Sequence, residues 1–367
     1  MSIVVVAVLL AALFGGYTTI GFKNEASAST DFHPGAAVAV AEYDLGATAF
    51  TDPPDWPYKS EIKAVVHYPR RTPPGKMPLI MLLHGQNSAC DTEGEESWPC
   101  PPGVPVFPSH RGYDYLGDAL ARRGFVVVSL SANGINHGMG TSPQRARLIN
   151  RHLAMWQQLT TTGRGPLAGK FTDATTGERT QVDFRGRVDM KRVGTMGHSV
   201  AGEAVMRHAS DKHRKDWPKG VQVKAVVPLA SRYFEIVEGD ISDTLITRIP
   251  FAVVSATCWG TGDRKYFDNS RGRNTVPVYL MTLVAGNHNF FNTVWSSATG
   301  PANGDDSTCP KNPAKPSEKA QRDFAVRFLT AYYERTLKGD TTYDPILTGE
   351  RPIPGVTTKV EHLPATR

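Results

Sequence analysis

The chain has 367 residues, 40% of them hydrophobic and 21% charged, a make-up that suits a globular protein and excludes a disordered or low-complexity one. Lys and Arg number 41 against 35 Asp and Glu, a net charge of +6 with no basic run, so no nucleic-acid surface is expected. That length holds one large domain or two small ones, and no internal repeat or heptad pattern divides it.

An apolar run over 3–14 comes first, followed by Gly15-Gly16, and Ala26-Ser27-Ala28 fits the small-residue pattern of a signal-peptidase site. No Lys or Arg precedes Lys23, so the usual positive n-region is missing. Residues 1–28 read as a signal peptide; the alternative is a retained anchor that borrows residues 17–22 to reach about 20 residues. Either places the folded part outside the cytosol. Four cysteines, at 90, 100, 258 and 309, agree with an oxidising compartment, and none forms a CxxC pair of the kind that holds zinc. Neighbourhood in sequence favours Cys90 with Cys100 and Cys258 with Cys309, although three connectivities, and four free thiols, stay open.

After residue 28 strand-like and helix-like segments alternate. Residues 37–43 and 62–68 read as early strands. The run PLIMLL over 78–83 is continuously apolar, as a strand buried on both faces should be. Residues 113–123 read as a helix, with Leu116 and Leu120 on one side and Gly124 at its C-cap. FVVVSL over 125–130 is the next buried strand, and Ser142 opens a long helix with Leu148, His152, Met155 and Leu159 at helical spacing. The stretch 161–188 is either a partial lid or a surface excursion. Strands are expected at 193–196, 225–229, 251–256 and 276–284, and a helix at 201–209. A last helix carries Phe324, Phe328 and Tyr332, ends at Gly339, and leaves 341–367 as a tail. Such alternation predicts an α/β fold, a mostly parallel sheet with helices on both faces and chemistry at the carboxyl ends of its strands.

Three motifs fall at such ends. Gly197-His198-Ser199-Val200-Ala201-Gly202 lies between a strand and a helix, where a sharp turn lifts a serine hydroxyl above the sheet. Small neighbours are needed two positions away; Gly197 fits, and Ala201 with Gly202 one place later departs from strict GxSxG. His84-Gly85-Gln86 ends the PLIMLL strand, where the backbone N–H of Gln86, with that of Val200, suits an oxyanion hole. His84 itself reads as a brace for that loop. His288 follows the last apolar strand, in the order nucleophile, acid, histidine. Of the other histidines, 33, 67, 84, 110, 137 and 152 precede the serine, 208 and 213 fall in or after the elbow helix, and 362 lies in the tail. His198 points away from the nucleophile and supports it. The acid belongs in the loop after 251–256, which makes Asp263 the first choice, Asp268 the reserve, and Asp240 and Asp243 third.

The set GHSVAG, LLHGQ and GNHNFFNTVWS, with the HNFFNT segment and the YDYL region, resembles the secreted bacterial α/β-hydrolases related to cutinase-like esterases, platelet-activating-factor acetylhydrolases and dienelactone hydrolases. The resemblance covers about residues 35–340. It implies an α/β-hydrolase domain there and leaves the substrate open, since a fold does not fix a function. The expected chemistry is ester hydrolysis through an acyl-enzyme: Ser199 attacks, His288 moves the proton, and Asp263 holds the imidazole. Trp259 and Phe290, with Phe291 and Trp295, are candidates to line an acyl pocket or to be core. No metal cluster, P-loop or GxGxxG is present in the sequence, so no cofactor is expected. The expected partner is a small or polymeric ester, with no obligatory protein partner. An amidase or peptidase on the same residues, and a silent secreted binding protein, are the competing readings.

Overall fold

The computed structural model describes residues 37–91, 97–233, 240–260, 262–296 and 315–366. The expected signal peptide, residues 1–28, and Cys309 lie outside the described residues.

The strands are β1 (Val38–Asp44), β2 (Phe50–Asp52), β3 (Trp56–Ser60), β4 (Lys63–Pro69), β5 (Met77–Leu83), β6 (Val126–Leu130), β7 (Phe171–Asp173), β8 (Val188–His198), β9 (Val223–Leu229), β10 (Phe251–Ala256), β11 (Val278–Leu283) and β12 (Thr358–Leu363). The helices are α1 (Asp114–Ala121), α2 (Asn133–His137), α3 (Ser142–Thr162), α4 (Val200–Ala209), α5 (Arg264–Ser270), α6 (Glu318–Tyr333) and α7 (Asp344–Thr348). Among the described residues, ten strands form one mixed sheet in the order β12-β11-β10-β9-β8-β5-β6-β4-β1-β7, and β2 and β3 make a separate hairpin. The six strands from β6 to β11 run parallel, and the pairs outside them are antiparallel. This is an α/β fold.

Burial explains the central strands. All seven residues of β5 and all five of β6 are buried, because helices cover both faces of the parallel region and no polar face is needed. Helix α3 begins in a capping box, with the Thr141 side chain on the backbone of Gln144 and the reverse, and stops at Gly163 in the left-handed conformation. It buries Leu148, His152, Met155 and Leu159, the spacing seen in the sequence, and adds Trp156. Among the described residues, no helix is long and apolar enough to cross a membrane.

One expectation is corrected and one open alternative is narrowed. Residues 341–367 are not a loose tail: they supply α7 and β12, and β12 pairs antiparallel with β11 from Val278↔Leu363 to Leu283↔Thr358. Its low burial hid it, since only Leu363 of its six residues is buried at this sheet edge. Of the two readings left open for 161–188, the structure favours the surface excursion, which lies at the opposite sheet edge. It contributes β7, which pairs with β1, and buries Leu167, with Phe171 and Phe184 packed on Trp156.

Candidate active site

The residues singled out in the sequence lie at the carboxyl ends of β5, β8, β10 and β11. Ser199 joins β8 to α4 with φ +59 and ψ −125, a backbone that side-chain-bearing residues rarely adopt and that costs on the order of 1–3 kcal/mol. Close packing explains how the turn persists. A Cβ on Gly197 would sit 1.9 Å from the Ala201 carbonyl oxygen, and one on Gly85 would sit 2.6 Å from the Ser199 Cβ. Strand, helix and the turn after β5 therefore meet at Ser199 with no room for a methyl group. The departure at Ala201 is accommodated, since its side chain is buried without strain in the backbone, while Gly202 takes the crowded place against Ser231.

The turn after β5 is braced as expected of His84. Its Nδ1–H donates to the Gly85 carbonyl at 2.9 Å, and its Nε2 accepts the Ala132 amide at 2.9 Å. Burial lowers its pKa to about 3, so it stays neutral and does not act as an acid. Among the described residues, neither the Gln86 nor the Val200 amide donates a hydrogen bond, and Val200 is the first residue of α4, where helix amides point outward unpaired.

His288 follows β11. Its Nδ1 bonds to the Asn289 side-chain oxygen at 2.7 Å, which makes Nδ1 the protonated nitrogen and leaves Nε2 as the basic one. Nε2 is buried without a hydrogen-bond partner among the described residues. Burial lowers the His288 pKa to about 4, partly offset by Asn289. His198 ties this loop to the nucleophile: its Nε2–H donates to the His288 carbonyl at 3.0 Å, and its Nδ1 accepts from Tyr113 Oη at 2.9 Å. The His198 ring stacks on Trp295, centroids 5.0 Å apart, and lies 4.7 Å from the His288 ring. That is the supporting place expected of it.

Asp263 is 1% exposed, with its Oδ1 accepting from Ser255 Oγ at 2.9 Å and Oδ2 unpartnered among the described residues. Burial raises its pKa to about 7, against the Ser255 hydroxyl and the nearby backbone amides of Arg264 and Ser231. Ser231 in turn donates to the Ser199 carbonyl at 3.2 Å, so the carboxyl group and the elbow share one corner. Among the described residues no hydrogen bond joins Ser199 to His288, or His288 to Asp263. The residue that touches His288 Nδ1 is Asn289, which sequence reasoning missed; an amide next to a histidine carries no signal in sequence order. The lower-ranked acids lie elsewhere: Asp268 pairs with Arg264 on α5, Asp243 with Arg207 and Lys212, and Asp240 caps a short turn at Ser242.

Of the aromatic candidates, Trp259 alone is open to solvent, 40% exposed, with its ring centroid 3.9 Å from that of His288. Phe290, Phe291 and Trp295 are buried, and Trp295 donates to Ser109 Oγ at 3.0 Å, so these three are core. A cavity of about 710 Å³ lies away from this corner, between α3, the far end of α4 and the β2–β3 hairpin. Cys90 and Cys100 are joined by a disulfide, as expected, and Cys258 is also disulfide-bonded. Among the described residues no cluster of His, Cys, Asp and Glu suits a metal ion. In comparisons with known proteins, no family model matches the chain and no curated protein matches it.

Proposed function

We propose that the chain is a secreted serine hydrolase of the α/β-hydrolase type that cleaves carboxylic esters through an acyl-enzyme. The observation that carries this reading is Ser199, held at φ +59 on a strand-to-helix turn against Gly197 and Gly85. A strained serine at that place is costly to keep and is understood most simply as a nucleophile. The extracellular setting rests on the apolar N-terminal run and on the Cys90–Cys100 disulfide.

Ser199 Oγ attacks the ester carbonyl while His288 Nε2, unprotonated above about pH 4, takes its proton. Asn289 holds the tautomer that this needs. Asp263 supplies, once ionised, a buried carboxylate that balances the imidazolium from the end of β10. The amides of Gln86 and Val200 receive the oxyanion, and the loss of one such donor typically costs ~10²–10³ in rate. His288 then protonates the leaving alcohol, and water repeats the sequence on the acyl-enzyme. These steps use side chains and backbone amides and call for no cofactor. The exposed face of Trp259 beside His288 offers an apolar surface for one arm of the ester.

A chain-length series of p-nitrophenyl esters tests the reading. The protein turns over at least part of the series, and Ser199→Ala loses that activity while keeping its fold. What remains is only the ~10³–10⁴ over water that binding and an oxyanion hole provide. Near-normal turnover in a folded Ser199→Ala protein contradicts the proposal.

A further inference from the structure

Arg145 on α3 is fully buried, and its Nη2 donates to Asn136 Oδ1 at 2.6 Å and to Gln86 Oε1 at 3.2 Å. A guanidinium only donates, so the Asn136 amide is oriented with its oxygen toward Arg145 and its Nδ2 away. Nδ2 donates to the carbonyls of Gly85 at 3.2 Å and Asn87 at 3.0 Å, and the Gln86 side chain returns through Nε2 to the Asn136 carbonyl at 3.0 Å. Residues 85, 86 and 87 are thus gripped by one polar ring that closes on Arg145.

The peptide between Gly85 and Gln86 is trans, so its C=O and N–H point in opposite directions. Fixing the Gly85 carbonyl onto His84 Nδ1 and Asn136 Nδ2 therefore fixes where the Gln86 N–H points. Gly85 packs directly on Ser199, which places that plane at the nucleophile. Burial pulls the Arg145 pKa down only to about 10, with Glu61 opposing, so the group keeps its charge at neutral pH. Charge-assisted bonds of this kind are about twice as strong as neutral ones and suit the holding of a single orientation.

We infer that Arg145 is a positioning residue: through Asn136 and Gln86 it sets the oxyanion turn so that the Gln86 amide faces the developing negative charge. The inference rests on the hydrolase reading above. It does not place Arg145 in contact with substrate. What it predicts is a loss confined to the transition state, because a turn free to rotate its peptide still binds the ester ground state.

The test compares Arg145→Met, Arg145→Lys and Asn136→Asp with wild type, reading kcat and KM separately and adding the affinity for an alkyl boronic acid that mimics the tetrahedral intermediate. Asn136→Asp keeps a partner for Arg145 but removes the donor to the Gly85 and Asn87 carbonyls, and it carries the test if Arg145→Met does not fold. The expected result is a kcat lowered ~10–10²-fold with KM within about twofold, and boronate affinity falling in parallel with kcat/KM. Arg145→Lys, which keeps the charge, should recover part of the loss. Unchanged kcat and boronate affinity in folded Arg145→Met or Asn136→Asp overturns the inference while leaving the hydrolase reading standing. A fall in thermal stability with kcat and boronate affinity unchanged also overturns it, since a purely structural role gives that pattern. A wild type that turns over no ester and binds no boronate overturns the hydrolase reading itself, and the inference with it.

Discussion

Asp263→Asn separates the burial of this group from its service to the site. The carboxyl is 1% exposed, and burial lifts its pKa from 3.8 to about 7. Between those values the folded protein keeps a proton that the unfolded chain has released, so wild-type stability falls as pH rises from about 4 to about 7 and is flat above. From pH 5 to pH 8 the fall spans about two units at 1.36 kcal/mol each, or about 3 kcal/mol. Asparagine keeps the shape and can still accept from Ser255 Oγ, but it has no charge to desolvate. The variant should therefore gain about 3 kcal/mol relative to wild type between pH 5 and pH 8, read from urea unfolding at the two pH values. Its turnover should fall by less than the ~10⁴ typical of a triad acid bonded to its histidine, because here Asn289 holds the tautomer and only the field of a nearby carboxylate is lost. A variant whose stability tracks wild type at both pH values would refute the buried, proton-holding Asp263. An intact kcat would remove Asp263 from the mechanism.

The pH profile of kcat/KM should rise in two steps, near pH 4 as His288 becomes neutral and near pH 7 as Asp263 ionises, and Asp263→Asn should keep only the lower step. A single step near 6.5 would mean that neither group is shifted as described. Replacing Cys90 and Cys100 together by serine should cost about 3 kcal/mol in urea unfolding, the chain-entropy value for a loop closed across a separation of 10 residues. An unchanged midpoint would count against a structural role for that bridge. In a non-reduced digest Cys258 should appear joined to Cys309, and a crossed pairing with Cys90 or Cys100 would refute the assignment.

The central strands were legible because burial on both faces leaves a continuous apolar run, as in 78–83 and 125–130, and runs that short favour strand over helix. The elbow was legible because its crowding writes glycine at 197 and 85. The β2–β3 hairpin was not, since strands of three and five residues around Asp52-Pro53-Pro54-Asp55 look like turn alone. β12 was missed for the physics of edges: only Leu363 of its six residues is buried, so neither an apolar run nor a clean alternation marks it. Within the site, chain order pointed to Ser199 and His288, but it has no access to side-chain partners. The Asp263 carboxyl meets Ser255 and the Ser231 amide, and Asn289 rests on the imidazole. Nor could spacing show that Arg145 reaches Gln86 in the turn after β5 from 59 positions away.

A fluorophosphonate probe, followed by peptide mass spectrometry, asks most directly whether Ser199 is an activated nucleophile. One adduct is expected, on the peptide carrying Ser199, formed in step with the loss of ester hydrolysis and absent from Ser199→Ala. No adduct on the folded protein, or hydrolysis that persists after Ser199 is fully labelled, would contradict it.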